Sequence, residues 1–553
     1  MTNKDIANLL MPNINSDITF YEEKYPHRNL PEGAIVSRFA PSPTGFVHMG
    51  SLFASMVERK VAKDTGGVFY LRIEDTDQKR EVENGTKGIV DDLNNFNIDL
   101  DEGPINETEE KGAYGPYTQS LRKEIYQTFV KYLVEKGFAY PCFCSTEQIE
   151  ETRNIQEKRK QRIGYYGRFA KCRQLSLEDI AAKVAAGETF IFRLKSNGSF
   201  DEKVKVEDLI KGTLEFPEND LDIVILKSDG LPTYHFAHLV DDYLMRTTHV
   251  IRGDEWVSSL PIHVQLFQTF GFELPYYCHI PPIMKEEDGS RRKLSKRKDP
   301  EAAVSYYHER GIPVDAVKLY LMTMANTNFE EWYDANREGT IDDFAFSFNK
   351  MSSSGGLFDL EKMINISKNY ISRLTALQVY EGTLKWALEF DSDFAELLKK
   401  DKEYAVDIFN IEREQPKPRK DYGCYSEIKD QIWYMYDELF EAVEKVYEFQ
   451  TISDKNEISN ILNTYIDKYY SDTDTKDEWF AKMKEIANDF GYAREVKEYK
   501  NNPDAYKGHV GDISLVLRLA LTSKTTTPDL YEIMQILGKD RIAKRYSDFI
   551  KGI

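Results

Sequence analysis

The apolar positions change period along the chain, and the clearest change lies near the beginning. Ala34-Ile-Val-Ser-Arg-Phe39 predicts a short strand. Leu52, Phe53, Met56, Val57 and Val61 then recur at helical spacing, and Gly66-Gly67 ends that helix. Val68-Phe-Tyr-Leu-Arg-Ile73 predicts a second strand, completing a βαβ unit. Further on, the pattern predicts a helix and loop over 81–104 and an amphipathic helix from Ser120, its expected cap, to Gly137. It predicts strands at 139–144, 188–194, 221–227 and 279–284, a charged helix over 146–162, and a strand from Thr248 running into a helix over 256–270. Pro313 opens an apolar-periodic helix to Met324, and everything beyond 376 reads as helix-rich and highly charged. The expected fold class is α/β followed by an all-α region.

The chain has 553 residues, enough for three to five domains. Its 41% hydrophobic content supports globular cores, and no run of eighteen apolar residues suggests a membrane span. Residues 1–20 lack the features of a signal peptide. Five cysteines, an odd number, argue against a disulfide framework and for a reducing cytosol. The net charge of −20 argues against nucleic acid as a partner, but local basic surfaces decide phosphate contacts in a large chain.

The chemistry concentrates in Arg38-Phe-Ala-Pro-Ser-Pro-Thr-Gly-Phe-Val-His-Met-Gly-Ser51, between the first strand and its helix. Helix N-termini present backbone N–H groups and a positive dipole end, which suits phosphate. Gly45 and Gly50 allow close backbone approach, and His48 can donate to a phosphate oxygen. Glu74, within Arg72-Ile-Glu-Asp-Thr-Asp77 at the end of the second strand, can pair with an ammonium group. Arg252, at the end of another strand, can grip a carboxylate in a two-point fork, and Arg38 offers a second cation. Six of the eight residues in Arg291-Arg-Lys-Leu-Ser-Lys-Arg-Lys298 are basic.

These motifs resemble those of the class I aminoacyl-tRNA synthetases, in the form carried by the glutamyl branch. Arg38–Gly50 matches the first signature and Lys293-Leu-Ser-Lys-Arg297 the second, in its glutamyl variant. Gly115-Pro-Tyr-Thr-Gln-Ser120, Thr233-Tyr-His-Phe-Ala-His-Leu-Val-Asp-Asp242 and Ser352–Asp359 also have counterparts. The resemblance implies a Rossmann-type catalytic domain in two halves, 34–138 and 222–299, with an inserted acceptor-end-binding domain at 139–221. After it would come a stem-contact domain at 300–375 and a helical anticodon-binding domain at 376–553; residues 1–33 form an extension outside the family pattern. It implies ATP and Mg²⁺ as cofactors, and L-glutamate and tRNA as partners. His48 and Lys296 would be catalytic. Pro41, Ser42, Pro43, Thr44, Gly45, His48, Gly50 and Ser51, with Lys293, Leu294, Ser295, Lys296 and Arg297, would bind ATP. Arg38, Ala40, Ser42, Glu74, Tyr234, His238 and Arg252 would bind glutamate.

Cys142, Cys144 and Cys172 read either as buried free thiols or as three zinc ligands. Some family members complete such a set with histidine. Here Gln174 takes that position, leaving Tyr165 or Tyr166 as substitutes. The expected enzyme is a cytosolic monomer charging glutamate tRNA. A non-discriminating form would also charge glutamine tRNA and would work with an amidotransferase. A glutamine ligase fits the first motif less well, and a shortened tRNA-modifying relative would lack the residues after 375. A simpler nucleotidyltransferase would not need the second signature, and a non-catalytic RNA-binding protein would not need His48 and Lys296.

Overall fold

The strand before the His48 turn and the helix after it are both present in the computed structural model. It describes every residue except Thr44, Phe46, 78–81, Lys296, Val446, Glu448, Gln450 and Ile553. The chain forms two compact units: Met1–Tyr306 with Lys318–Asp359, and Tyr307–Val317 with Leu360–Ile553. Residues 300–375 are therefore shared between them.

In the first unit, β1 (Val36–Phe39) pairs in parallel with β2 (Val68–Leu71), Val36 opposite Val68 and Phe39 opposite Leu71. The helix Met49–Asp64 makes the crossover, burying Met49, Leu52, Phe53, Met56 and Val57. Only glycine fits at position 67, where a Cβ would lie 1.8 Å from the Ile35 carbonyl oxygen. A second parallel pair, β3 (His249–Gly253) with β4 (Tyr276–Ile280), lies beside β1, where Thr248 N–H donates to the Val36 carbonyl at 3.0 Å. Beyond β4 a hairpin, Lys203–Asp208 with Gly212–Pro217, joins the sheet through Asp208 opposite Tyr277. The ends of β1 and β3 thus open on one crevice.

The strand expected at 279–284 is displaced. It runs from Tyr276 to Ile280, because Pro281 and Pro282 have no N–H to continue the ladder. Met284–Glu287 then starts a separate hairpin with Ser290–Lys293. The helix expected from 256 begins at Leu260, with Pro261 in its first turn, after a 3₁₀ segment over Asp254–Ser259. Ser120 does not cap a helix. Its N–H and hydroxyl both donate to Asp75, and the helix runs from Lys123 to Lys136.

A three-stranded antiparallel sheet takes Ala139–Cys142, Ile191–Leu194 and Val224–Leu226, with Ile191–Leu194 in the centre. The charged helix beside it stops at Lys158. Residues 1–33 are ordered by their own apolar stripe. The helix Asn3–Leu10 carries a Thr2/Asp5 capping box and buries Ile6, Ala7 and Leu10 in a cluster with Phe129, Val130 and Leu133. Arg28 clamps the segment to Glu102 at 2.8 Å and lies over the Tyr114 ring.

The second unit is helical around one core. Val379, Leu398, Phe409, Ile461, Met483, Val516, Leu517 and Ile533 are among the residues buried there. Among the described residues no helix is long and apolar enough to cross a membrane.

Candidate active site

His48 does more than precede its helix: it is the N-cap. Its Nδ1 accepts the Ser51 N–H at 3.1 Å. A nitrogen that accepts is unprotonated, so the neutral ring carries its proton on Nε2. Gly50 makes this possible, since a Cβ there would press to 3.2 Å against the folded-back imidazole. The Glu74 N–H donates to the Pro41 carbonyl at 3.0 Å, drawing the end of β2 alongside the turn.

These groups border a cleft of ≈ 460 Å³. Arg38, Ala40, Pro41, Ser42, His48, Gly50, Ser51, Glu74, Tyr234, Arg252, Lys293 and Leu294, all expected from sequence, line it. Pro43, Gly45, Ser295, Arg297 and His238 do not line it, and Thr44 and Lys296 fall outside the described residues. His238 is fully buried behind Tyr234: its Nδ1 lies 2.5 Å from Asp242 and its Nε2 3.2 Å from the Tyr277 hydroxyl. His235 pairs with His263, Nδ1 to Nε2, at 3.0 Å.

The cleft also contains residues that the motif reading passed over. Trp256 stacks on Tyr234 at 3.9 Å between ring centroids. Ile280 to Ile283 form an apolar wall. Glu58, from the helix that His48 caps, is almost fully buried, and its Oε2 has no hydrogen-bond partner. Burial pushes its carboxyl well above the usual range despite Arg38 nearby. Glu58 was findable in principle, as a lone acid among the apolar positions of that helix, but an acid followed directly by Arg59 and Lys60 reads equally as a surface residue.

The arginines are held very differently. Arg38 Nε meets Asp242 at 3.1 Å, Arg72 meets Asp242 at 2.7 Å and Glu74 at 3.0 Å, and Arg122 meets Asp241 at 2.7 Å. Burial opposes the charge of Asp242, but Arg38, Arg72 and His238 outweigh it and hold the carboxyl well below its usual range. Arg38 is thus neutralised within the chain. Arg252 has no such partner: among the described residues no carboxylate touches it, although the residue is only 6% exposed. A buried cation without a counter-ion is costly, and an anionic ligand would relieve that cost. In the basic run, Arg292 is occupied by Asp299 and Glu287. Lys293 reaches the cleft, 3.7 Å from Glu255.

A second cluster lies away from the cleft. The sulfurs of Cys142, Cys144 and Cys172 lie within 4.8 Å of one another. The Tyr165 hydroxyl is 3.4 Å from Cys142 and 3.3 Å from Cys144. Hydrogen bonding from Cys172, against burial, lowers the Cys142 thiol to about 4.

Residues 34–365 match the model of the family described as tRNA synthetases class I (E and Q), catalytic domain. Residues 417–550 match an anticodon binding domain. The chain is 48% identical over 551 residues to a glutamate–tRNA ligase of Clostridium perfringens (strain SM101 / Type A), covering 100% of both chains. It is 41% identical to that of Sorangium cellulosum (strain So ce56), covering 96% of this chain and 97% of the relative. A crystal structure of a glutamate tRNA ligase from Elizabethkingia meningosepticum CCUG26117, in complex with its amino acid, has the same fold. Its TM-score is 0.76 at 24% identity, over 94% of this chain and 99% of that one.

Proposed function

From a chain that belongs to the glutamate–tRNA ligase family of class I tRNA synthetases, we infer an enzyme that activates L-glutamate with ATP and transfers it to the 3′ end of glutamate tRNA. The observation that carries this reading is Arg252, a buried guanidinium lining the cleft with no carboxylate of the chain against it. The substrate's side-chain carboxylate takes that place, with Tyr234 beside it and Arg38 behind. Glu74 faces the substrate ammonium. ATP lies over the helix N-terminus at His48, Gly50 and Ser51, its other edge against Lys293 and Leu294.

The glutamate α-carboxylate then attacks the α-phosphorus, giving glutamyl-adenylate and releasing pyrophosphate. The His48 Nε2–H donates to the oxygens on which negative charge builds. Lys296, with Ser295 and Arg297 from the same motif, completes the phosphate contacts, as Pro43, Thr44 and Gly45 do from the first. When bound, Mg²⁺ neutralises the outer phosphates. A terminal ribose hydroxyl of tRNA next attacks the mixed anhydride and displaces AMP. No covalent enzyme intermediate is required.

The test is aminoacylation with radiolabelled glutamate and ATP, run separately on glutamate tRNA and glutamine tRNA. Charging of the first alone is expected. Charging of both would define a non-discriminating enzyme with an amidotransferase as a downstream partner. Charging of neither by folded protein with Mg²⁺ present would overturn the reading. The same reading places the enzyme in the cytosol as a monomer.

We further propose that Cys142, Cys144 and Cys172 hold zinc with Tyr165 as the fourth ligand. Three thiols and a hydroxyl converge there, and thiolates suit that metal. Purified protein is expected to contain one zinc per chain by elemental analysis and to lose it in Cys142→Ser. A metal-free chain that binds no added zinc would remove the proposal.

A further inference from the structure

Arg252 is oriented by neutral nitrogen acceptors. Its Nε donates to His279 Nε2 at 3.0 Å, and its Nη2 faces His263 Nδ1 at 3.2 Å. A guanidinium has donors only, so both of those ring nitrogens must be bare. That fixes both tautomers. His279 carries its proton on Nδ1, 2.7 Å from Asp208 Oδ2, and His263 carries its proton on Nε2, 3.0 Å from His235 Nδ1. Burial lowers the pKa of both His263 and His279, which keeps the rings neutral. Asp208 is itself locked. Oδ1 accepts the N–H groups of Ile210 and Lys211 at 3.0 and 2.9 Å, and Oδ2 also accepts the His279 N–H at 3.0 Å.

We propose that Asp208, His279 and His263 are positioning residues that aim Arg252 at the substrate's side-chain carboxylate without neutralising it, and so set the preference for glutamate over glutamine. The inference rests on the reading of Arg252 given above. A carboxylate placed directly on the guanidinium would orient it equally well but would cancel its charge, as Asp242 does for Arg38 and Arg72. An imidazole between the two keeps the geometry and holds the anion one ring away. The remaining hydrogen bonds of Arg252, to the Tyr234 hydroxyl and the Trp256 carbonyl, are both 3.4 Å long. Contacts of that length are weak and readily exchanged for a charged acceptor. The relay begins at the last residue of the strand Lys203–Asp208, so that hairpin contributes to substrate selection without entering the cleft.

The experiment is steady-state aminoacylation by the full-length enzyme, with glutamate, ATP and glutamine varied in turn. The variants are Asp208→Ala, Asp208→Asn, His279→Ala, His279→Gln and, as reference, Arg252→Ala. Asp208→Ala and His279→Ala are expected to raise KM for glutamate at least tenfold and to reduce the glutamate-to-glutamine ratio of kcat/KM by a similar factor. KM for ATP and kcat should change less than threefold. His279→Gln, whose amide can still accept from Arg252 and donate to Asp208, is expected to stay within threefold of the parent; Asp208→Asn, whose NH2 must face N–H donors, is expected to fall with Asp208→Ala. An equal rise in both KM values, or a His279→Gln variant as impaired as His279→Ala, would reduce the relay to packing. If Arg252→Ala raises KM for glutamate but no relay variant does, the relay fails and the pocket stands. If Arg252→Ala leaves KM unchanged, the pocket reading itself fails. Should His279→Ala not fold, the KM for glutamate against that for ATP in Asp208→Ala and His279→Gln still decides.

Discussion

Near the last turn of the helix Tyr234–Leu244, Asp241 and Asp242 receive Arg38, Arg72 and Arg122; at its first residue, Tyr234 faces Arg252. All four arginines are buried. The first three are matched by acids of the chain, and the fourth is matched by imidazoles. At the acidic end the charge is spent on the fold, joining β1, β2 and the helix Lys123–Lys136 to one carboxylate pair. At the Tyr234 end the charge is left for a ligand. The same residue type, buried alike, is structural where its partner is Asp and is available for recognition where its partner is neutral His.

The comparison breaks most readily at Asp242. Asp242→Ala would leave Arg38 and Arg72 buried without a shared counter-ion, and loss of one member of such a set costs about 3–5 kcal/mol. Thermal and urea unfolding of the catalytic unit should show that loss. A change under about 1 kcal/mol would mean water or repacking supports the arginines, and the contrast with Arg252 would dissolve.

Acid sharpens the same contrast. The Asp242 carboxyl is depressed in the folded state, so its contribution is fully present above the unfolded value of 3.8 and is lost as pH falls through the folded one. Stability should be flat from about pH 7 to 5 with respect to this group and fall steeply below about pH 4. Asp242→Asn should remove part of that slope. An unchanged acid limb would show that other carboxylates dominate it.

The smallest effect is expected at Glu58. Its folded carboxyl is raised, so the folded state retains a proton that the unfolded state releases above the ordinary value of 4.5. Stability associated with this group declines as pH rises from there towards the folded value. Glu58→Gln should therefore stabilise the protein at pH 8 by about 1 kcal/mol and change little at pH 4. Destabilisation at pH 8 would show that an ionised Glu58 is held by a partner.

Much of this site was legible from local pattern. The βαβ unit follows from a switch of apolar period, and the His48 turn from glycines and prolines whose backbone limits act within a few residues. Arg252 stood out because it comes at the end of a strand. What surrounds these residues was not legible. The partner of Arg38 is 204 residues away and that of His279 is 71 away. Sequence offered Arg38 as a second cation beside Arg252, although Asp242 is paired with it. His235 and His238 stand three residues apart on one helix, yet His235 bonds to His263 and His238 to Tyr277, on two other elements.

By itself, then, the order of residues determined the elements, the turn that crowds His48 into its cap, the family and the chemical menu of the cleft. These depend on backbone preferences and side-chain types that act over short spans. Tertiary structure alone decided which charges remain uncompensated, which histidine nitrogens are bare and which side chains reach the cleft. Coulombic and hydrogen-bond energies depend on distances between groups, and the fold sets those distances between residues far apart in the chain.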